Sequence, residues 1–156
     1  MTPLNWLHMT ALVVGSTDDI SQDQMREMLE VASCSLAHVA PIRVTLGRVI
    51  YHPEAIMLGL QQDGALDPVL QAARDATQTV LGRDGVTTSG PGTWIPHMTI
   101  CYSTANQESE PLISAVGLKV PECSATIDAL TLVVQWGPER AWNWETIGVA
   151  SLRTKK

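Results

Sequence analysis

Apolar and polar positions follow two different periods in the first half of the chain, and these periods predict its strands and helices. An apolar stretch over about residues 5–14 predicts a first strand. Ser21 and Gln24 form a capping box that begins a helix ending near Ala40-Pro41. The apolar stripe of this helix consists of Met25, Met28, Leu29, Ala32 and Leu36. A hairpin follows, with a strand at 42–51 that places Val44 and Leu46 on one face, a turn at 52–54 and a strand at 55–60.

The second half begins with another helix and returns to strands. Asp67-Pro68 predicts a helix start, and Gly82 predicts its end. Its stripe consists of Val69, Leu70, Ala73, Val80 and Leu81. A loop at 87–92 leads to a strand at 94–103, a short helix at 108–116 and two closing strands at 125–136 and 142–152.

The order strand, helix, hairpin occurs twice, which predicts an α+β fold of two pseudo-symmetric β-α-β-β units. We expect one bilobal domain over 1–156, with units at roughly 1–85 and 93–156 and possible strand exchange between them. A sheet with one apolar face must cover that face. The prediction is therefore two antiparallel sheets that face a central cleft, with helices outside.

Composition excludes several classes of protein. The chain has 156 residues, of which 45% are hydrophobic and 17% charged, so it can form a packed core. It has no apolar run near the ~20 residues that a membrane helix needs, and no signal-peptide pattern, so we expect a cytoplasmic protein. Cys34, Cys101 and Cys123 lack C-x-x-C spacing, which argues against zinc and disulfides.

The charge balance restricts the partners. Ten basic residues stand against 16 acidic ones, for a net charge of −6. Proteins that hold long nucleic acids usually present a basic patch. Any nucleic-acid partner is therefore expected to be a small nucleotide or a strand end, with no long duplex. We also expect no membrane partner and a monomeric protein.

The candidate chemistry lies in two tripeptides, His8-Met9-Thr10 and His97-Met98-Thr99. On a strand, the first and third residues share a face, so each tripeptide would present an imidazole beside a hydroxyl. An imidazole exchanges protons near neutral pH, and a hydroxyl can donate to an anionic oxygen. Two such pairs suit a general acid and a general base beside a bound phosphate.

This duplicated His-x-Thr, with Pro96 before the second histidine, resembles the signature of the two-histidine (2H) phosphoesterase superfamily. The chain is most similar to its bacterial 2′-5′ RNA ligase branch, which includes 2′,3′-cyclic-nucleotide phosphodiesterases; Trp6-Leu7-His8 and Trp142-Asn143-Trp144 resemble actinobacterial members. Several members carry an arginine in R-x-x-P-H before the second motif, whereas this chain has Thr93-Trp94-Ile95-Pro96.

The resemblance implies a metal-independent phosphodiesterase without a cofactor, which opens a 2′,3′-cyclic phosphate on a small nucleotide or an RNA end. One histidine would deprotonate the attacking water, and the other would protonate the leaving ribose oxygen. Thr10 and Thr99 would donate hydrogen bonds to the non-bridging oxygens. Two alternatives stay open: a 2′-5′ ligase, hydrolase or oligonucleotide phosphodiesterase that uses the same site, and a module that binds a nucleotide or RNA end without turnover.

Aromatic residues are candidates to bind a nucleobase, with core packing as the rival role. The candidates are Trp6, Trp94, Tyr102, Trp136, Trp142 and Trp144. Three arginines could bind phosphate, although we expect each to be a solvated charge; they are Arg43, Arg48 and Arg140. His38 and His52 are expected to be structural or surface residues.

Overall fold

A computed structural model describes residues 1–87, 94–137 and 143–153. Its three helices are α1 (Gln22–Leu36), α2 (Asp67–Leu81) and α3 (Glu110–Val116). Its strands are β1 (Ile42–His52), β2 (Ala55–Leu60), β3 (His97–Tyr102), β4 (Lys119–Ile127), β5 (Ala129–Trp136) and β6 (Asn143–Ser151). One sheet has the order β3-β2-β1-β4, and β5 pairs with β6 in a second sheet. The β1–β2, β2–β3 and β5–β6 pairs are antiparallel, so the predicted α+β class with antiparallel sheets is confirmed.

The predicted first strand at 5–14 is wrong. Leu4–Trp6 form a short 3-10 turn, and Val13 makes only an isolated bridge to Val86. A strand needs a continuous partner, and among the described residues no ladder runs along this segment. Thr2 donates its N–H to the Ile100 carbonyl of β3, and Val13 and Val86 exchange one pair of hydrogen bonds.

The prediction also missed β4. Its sequence is polar and contains Pro121, which argues against a central strand. Because β4 is the last strand of its sheet, one of its edges carries no ladder, and an edge strand tolerates proline.

The two long helices follow their sequence signals closely. The Ser21 hydroxyl accepts the Gln24 N–H, and the Gln24 side chain accepts the Ser21 N–H, so the capping box is confirmed. Gly82 ends α2 with a φ of 65°, a left-handed conformation that favours glycine. The helix α1 ends at Leu36, a few residues before the predicted proline.

The chain divides into two compact units, each built from three segments. The first contains Met1–Thr10, Arg43–Asp63 and Ile95–Ala125; the second contains Ala11–Ile42, Gly64–Trp94 and Thr126–Lys156. This division differs from the expected halves 1–85 and 93–156. The reason is that β1 and β2 come from one half and β3 from the other, yet β3 pairs with β2 in the same sheet.

The core of the second unit joins helices to the end of the chain. Its buried residues are Ile20, Met25, Met28, Ala32, Leu36, Val69, Ala72, Ala76, Ala150 and Leu152. The stripe of α1 therefore packs as the sequence predicts, except that Leu29 is only partly buried. Within the described ranges, no helix has the length and hydropathy needed to cross a membrane.

Candidate active site

Both His-x-Thr tripeptides belong to the first compact unit. His97 is the first residue of β3, and Thr99 is its third. His8 and Thr10 lie in the irregular segment after the 3-10 turn. All four side chains are half-buried, so they are held by the protein and still reach solvent.

The two imidazoles make the same local hydrogen bond. Nδ1 of His8 lies 2.8 Å from the Trp6 carbonyl oxygen, and Nδ1 of His97 lies 2.8 Å from the Ile95 carbonyl oxygen. In each motif the partner is the main chain two residues earlier. The duplication in the sequence is therefore also a duplication of geometry, although only the second motif is on a strand.

These bonds determine which ring nitrogen can work as a base. A carbonyl oxygen only accepts, so Nδ1 must carry the hydrogen in both rings. The neutral imidazole then has its lone pair on Nε2, and the charged imidazolium can donate from Nε2. Within the described ranges, Nε2 of His97 has no hydrogen-bond partner.

The pairing register defines one face of the sheet around His97, which we call the histidine face. Paired residues of antiparallel strands project from the same face. His97 pairs with Gly59, and Gly59 with Arg48; Thr99 pairs with Met57, and Met57 with Ile50. By the histidine face we mean the nine residues on these three strands: His97, Thr99 and Tyr102 on β3, Gly59, Met57 and Ala55 on β2, and Arg48, Ile50 and His52 on β1.

Two β-bulges decide which side chains reach this face. In β3 the register shifts between Thr99 and Cys101, so Tyr102, rather than Cys101, shares the face of His97. In β1 the shift falls between Leu46 and Arg48. Strict alternation would place Tyr102 and Arg48 on the opposite face, so both bulges direct a polar side chain to the histidine face.

The Thr99 hydroxyl is placed to meet a ligand at this face. It lies two residues after His97 on a regular stretch of β3, so both side chains share the histidine face. Nothing within 1–87, 94–137 or 143–153 forms a hydrogen bond to this hydroxyl. It can therefore donate to an oxygen bound beside the imidazole.

The aromatic candidates separate between the two units. Trp6 and Tyr102 belong to the unit that contains the tripeptides, and both are half-buried. Trp94, Trp136 and Trp144 belong to the second unit. Trp94 is only 8% exposed, so its indole offers little surface on which a base could stack, whereas Trp136 is 51% exposed.

Two of the sequence candidates, Trp142 and Arg140, lie outside the described residues. Arg43 and Arg48 are both exposed, as expected, but Arg48 is also part of the histidine face. Sequence reasoning missed this placement. The available signal was Arg48 itself, a charged residue two positions after Leu46 and in phase with the buried Val44 and Leu46.

Metal ligation finds no support in the part of the chain that the structure describes. No group of three or more His, Cys, Asp or Glu side chains converges there in a way that could hold an ion. The tripeptides and the histidine face together offer proton transfer from imidazoles, hydrogen bonding from hydroxyls and attraction from the guanidinium of Arg48.

A site of this kind, with two His-x-Thr motifs on an α+β fold, defines a two-histidine phosphoesterase type of protein. The family model described as the 2′-5′ RNA ligase superfamily matches residues 2–139. The chain therefore belongs to the 2′-5′ RNA ligase superfamily, whose activities are of the phosphoesterase and ligase type. No curated protein matches its sequence significantly.

Two solved structures are similar in fold to this chain. The protein TT0787 of Thermus thermophilus is similar with a TM-score of 0.71 at 18% identity, over 99% of this chain and 82% of that one. Escherichia coli LigT, solved in complex with ATP, is similar with a TM-score of 0.67 at 13% identity, over 98% and 80% of the two chains. At these identities, the likeness concerns the fold.

Proposed function

We propose that this protein opens a 2′,3′-cyclic phosphate on a nucleotide or an RNA end. The observation that carries the proposal is the duplicated imidazole: His8 and His97 lie in one compact unit and hold Nδ1 on the same type of carbonyl. Nε2 is then the nitrogen that transfers a proton in each ring. Membership of the superfamily supports the reaction class.

The reaction needs one proton acceptor and one proton donor. Water attacks phosphorus and loses a proton to Nε2 of the neutral imidazole. The bond from phosphorus to one ribose oxygen breaks, and the imidazolium gives that oxygen its proton. The product is a phosphomonoester with a free ribose hydroxyl, and the two rings exchange protonation states. Thr10 and Thr99 donate to the non-bridging oxygens, where charge develops in the transition state.

A second candidate is formation or hydrolysis of a 2′-5′ linkage at the same site, which the description of the family favours. In formation, a ribose hydroxyl takes the place of water and attacks the cyclic phosphate; in hydrolysis, water attacks the phosphorus of the linkage and the imidazolium protonates the ribose oxygen that leaves. Analysis of the products formed from a cyclic mononucleotide, with and without an RNA that bears free hydroxyls, distinguishes the two candidates.

The central test replaces each histidine by alanine. We expect His8→Ala and His97→Ala each to lower turnover of a 2′,3′-cyclic mononucleotide by about 10²-fold or more, because each ring transfers a proton in the transition state. The assay contains EDTA, since the proposed steps use imidazoles and no metal. His38→Ala, at an exposed position after α1, is the matched control and should keep the wild-type rate.

Three results would count against the proposal. Near wild-type turnover in either histidine variant would remove that ring from proton transfer. Loss of activity in EDTA, with recovery on adding a divalent ion, would contradict the metal-free steps. Tight nucleotide binding without any turnover by the wild-type protein would favour the binding module instead.

A further inference from the structure

Arg48 occupies its position because β1 is bulged at Gly47. Leu46 pairs with Leu60, but Arg48 pairs with Gly59, so Gly47 is the extra residue. Without this bulge, Arg48 would project with the buried Val44 and Leu46. The bulge moves it to the histidine face and lets Val49, which is 6% exposed, continue the buried side. Bulges of this kind often re-aim a side chain beside an active site.

Gly59 lets the Arg48 side chain extend towards His97. A Cβ atom built on Gly59 would lie 3.1 Å from Nε and 3.3 Å from Nη2 of Arg48. The guanidinium therefore covers the place that a side chain on β2 would fill. His97 is the cross-strand partner of Gly59, so its Cβ lies roughly 5 Å beyond that place. Arg48, Gly59 and His97 form one row across three strands.

The charge of the Arg48 guanidinium is not neutralised by a carboxylate among the described residues. In the part of the chain that the structure describes, no carboxylate forms an ion pair with Arg48. None of the nine residues of the histidine face is acidic. The next row, Ile50, Met57 and Thr99, adds two apolar side chains and one hydroxyl. Arg48 is thus the permanent positive charge of this face.

We propose that Arg48 binds a non-bridging oxygen of the phosphoryl group that reacts at His97, and that Gly59 keeps its path open. This inference rests on the proposed function and names a charge-stabilising residue for the same site. A guanidinium suits the task because it is always charged and presents parallel N–H donors to phosphate oxygens. The row brings it beside the imidazole and the Thr99 hydroxyl.

The first test removes the charge at two matched positions. We expect Arg48→Gln to lower kcat/KM for a 2′,3′-cyclic mononucleotide by roughly 10- to 100-fold, as for loss of a charged hydrogen bond. Arg43→Gln is the control, since it makes the same change on an exposed residue of β1. Arg43 lies on the order of 15 Å from Arg48 along the strand. Arg48→Lys should recover part of the loss, because it restores the charge without the paired donors.

The second test uses Gly59→Ala. The added methyl group would lie 2.7 Å from Cδ1 of Ile50 and 3.1 Å from Nε of Arg48, both parts of flexible side chains. We expect it to displace the guanidinium and to lower kcat/KM in the wild-type background. In an Arg48→Gln background it should cause little further loss, because the group it displaces is already gone.

Binding of a nucleoside 2′-monophosphate, measured by calorimetry, separates this inference from the proposed function. If the wild-type protein turns over the cyclic substrate and Arg48→Gln behaves like Arg43→Gln in rate and binding, Arg48 is not a phosphate ligand and the inference fails alone. If the wild-type protein shows no turnover but binds the monophosphate in an Arg48-dependent way, the proposed function fails and the anion site stands. Equal losses from Gly59→Ala in both backgrounds would contradict the role of Gly59. If the wild-type protein shows neither turnover of the cyclic substrate nor binding of the monophosphate, both proposals are overturned.

Discussion

At the scale of single residues, the histidines are held by main-chain atoms. Nδ1 of His8 contacts the Trp6 carbonyl, and Nδ1 of His97 contacts the Ile95 carbonyl. A carbonyl orients the ring and fixes its tautomer, so the nitrogen left for proton transfer is Nε2 in both rings. The proposed exchange of protonation states uses that nitrogen in each ring.

The Thr99 hydroxyl should contribute to the transition state rather than to substrate binding. Thr99→Val keeps the β-branched shape of the side chain and removes the donor. We expect kcat to fall on the order of 10- to 10³-fold, by analogy with other oxyanion donors, with a smaller change in KM. Steady-state kinetics on the cyclic mononucleotide measures both constants.

Thr131→Val is the control for that substitution. Thr131 is exposed on β5 in the second unit, so the same change of side chain there should leave both constants near wild type. A rise in KM for Thr99→Val with kcat intact would show that the hydroxyl binds ground state and transition state equally.

At the scale of elements, the two bulges have a common effect. One shifts β1 at Gly47 and the other shifts β3 between Thr99 and Cys101. Each interrupts strict alternation and brings one polar side chain, Arg48 or Tyr102, to the histidine face. The two bulges thus place candidate functional groups on the histidine face.

The capping box of α1 gives a prediction about stability. Ser21→Ala removes the hydroxyl that accepts the Gln24 N–H, so we expect the free energy of unfolding to fall by about 1 kcal/mol. Turnover per folded molecule should be unchanged, because Ser21 belongs to the unit without the tripeptides. Urea unfolding followed by circular dichroism measures the loss.

Ser35→Ala makes the same change in the same helix without touching a cap. Its hydroxyl donates to the Val31 carbonyl one turn earlier, a contact that adds little because that carbonyl belongs to the helix ladder. We expect this variant to be neutral or slightly stabilised, since alanine has the higher helix propensity. Equal destabilisation of both variants would contradict the role of the cap.

At the scale of the whole molecule, charge should restrict the substrate to short nucleic acids or ends. The net charge of −6 opposes long polyanions, so a duplex RNA without a cyclic end should not inhibit turnover of a cyclic mononucleotide. The assay is run at low ionic strength, where attraction to a basic surface would be strongest. A nucleoside 2′-monophosphate serves as the positive control for competition.

Inhibition by the duplex that weakens steeply with added salt would contradict this expectation. Such behaviour indicates release of counterions from many phosphate contacts. It would require a basic surface that the composition does not suggest, and the proposal of a small nucleotide or an RNA end as partner would then be withdrawn.

The sequence alone determined the elements that carry strong local signals and the residues that carry the chemistry. The capping box, the apolar stripe of α1 and the glycine that ends α2 are each local signals. Each depends on residues a few positions apart, so the helices they predict can be recognised without knowing a distant partner. The duplicated His-x-Thr is likewise readable from the chain, because the residue types themselves are the signal.

Tertiary structure decided what depends on pairing between distant segments. The segment at 5–14 has the composition of a strand, but a strand needs a partner along its whole length, and among the described residues this segment has an isolated bridge at Val13 rather than a ladder. β4 is polar and contains a proline, yet it pairs because β1 offers an edge. The place of Arg48 depends on a one-residue bulge and on a glycine in the neighbouring strand. Alternation in a single strand cannot reveal such a shift, because register is a property of two strands together.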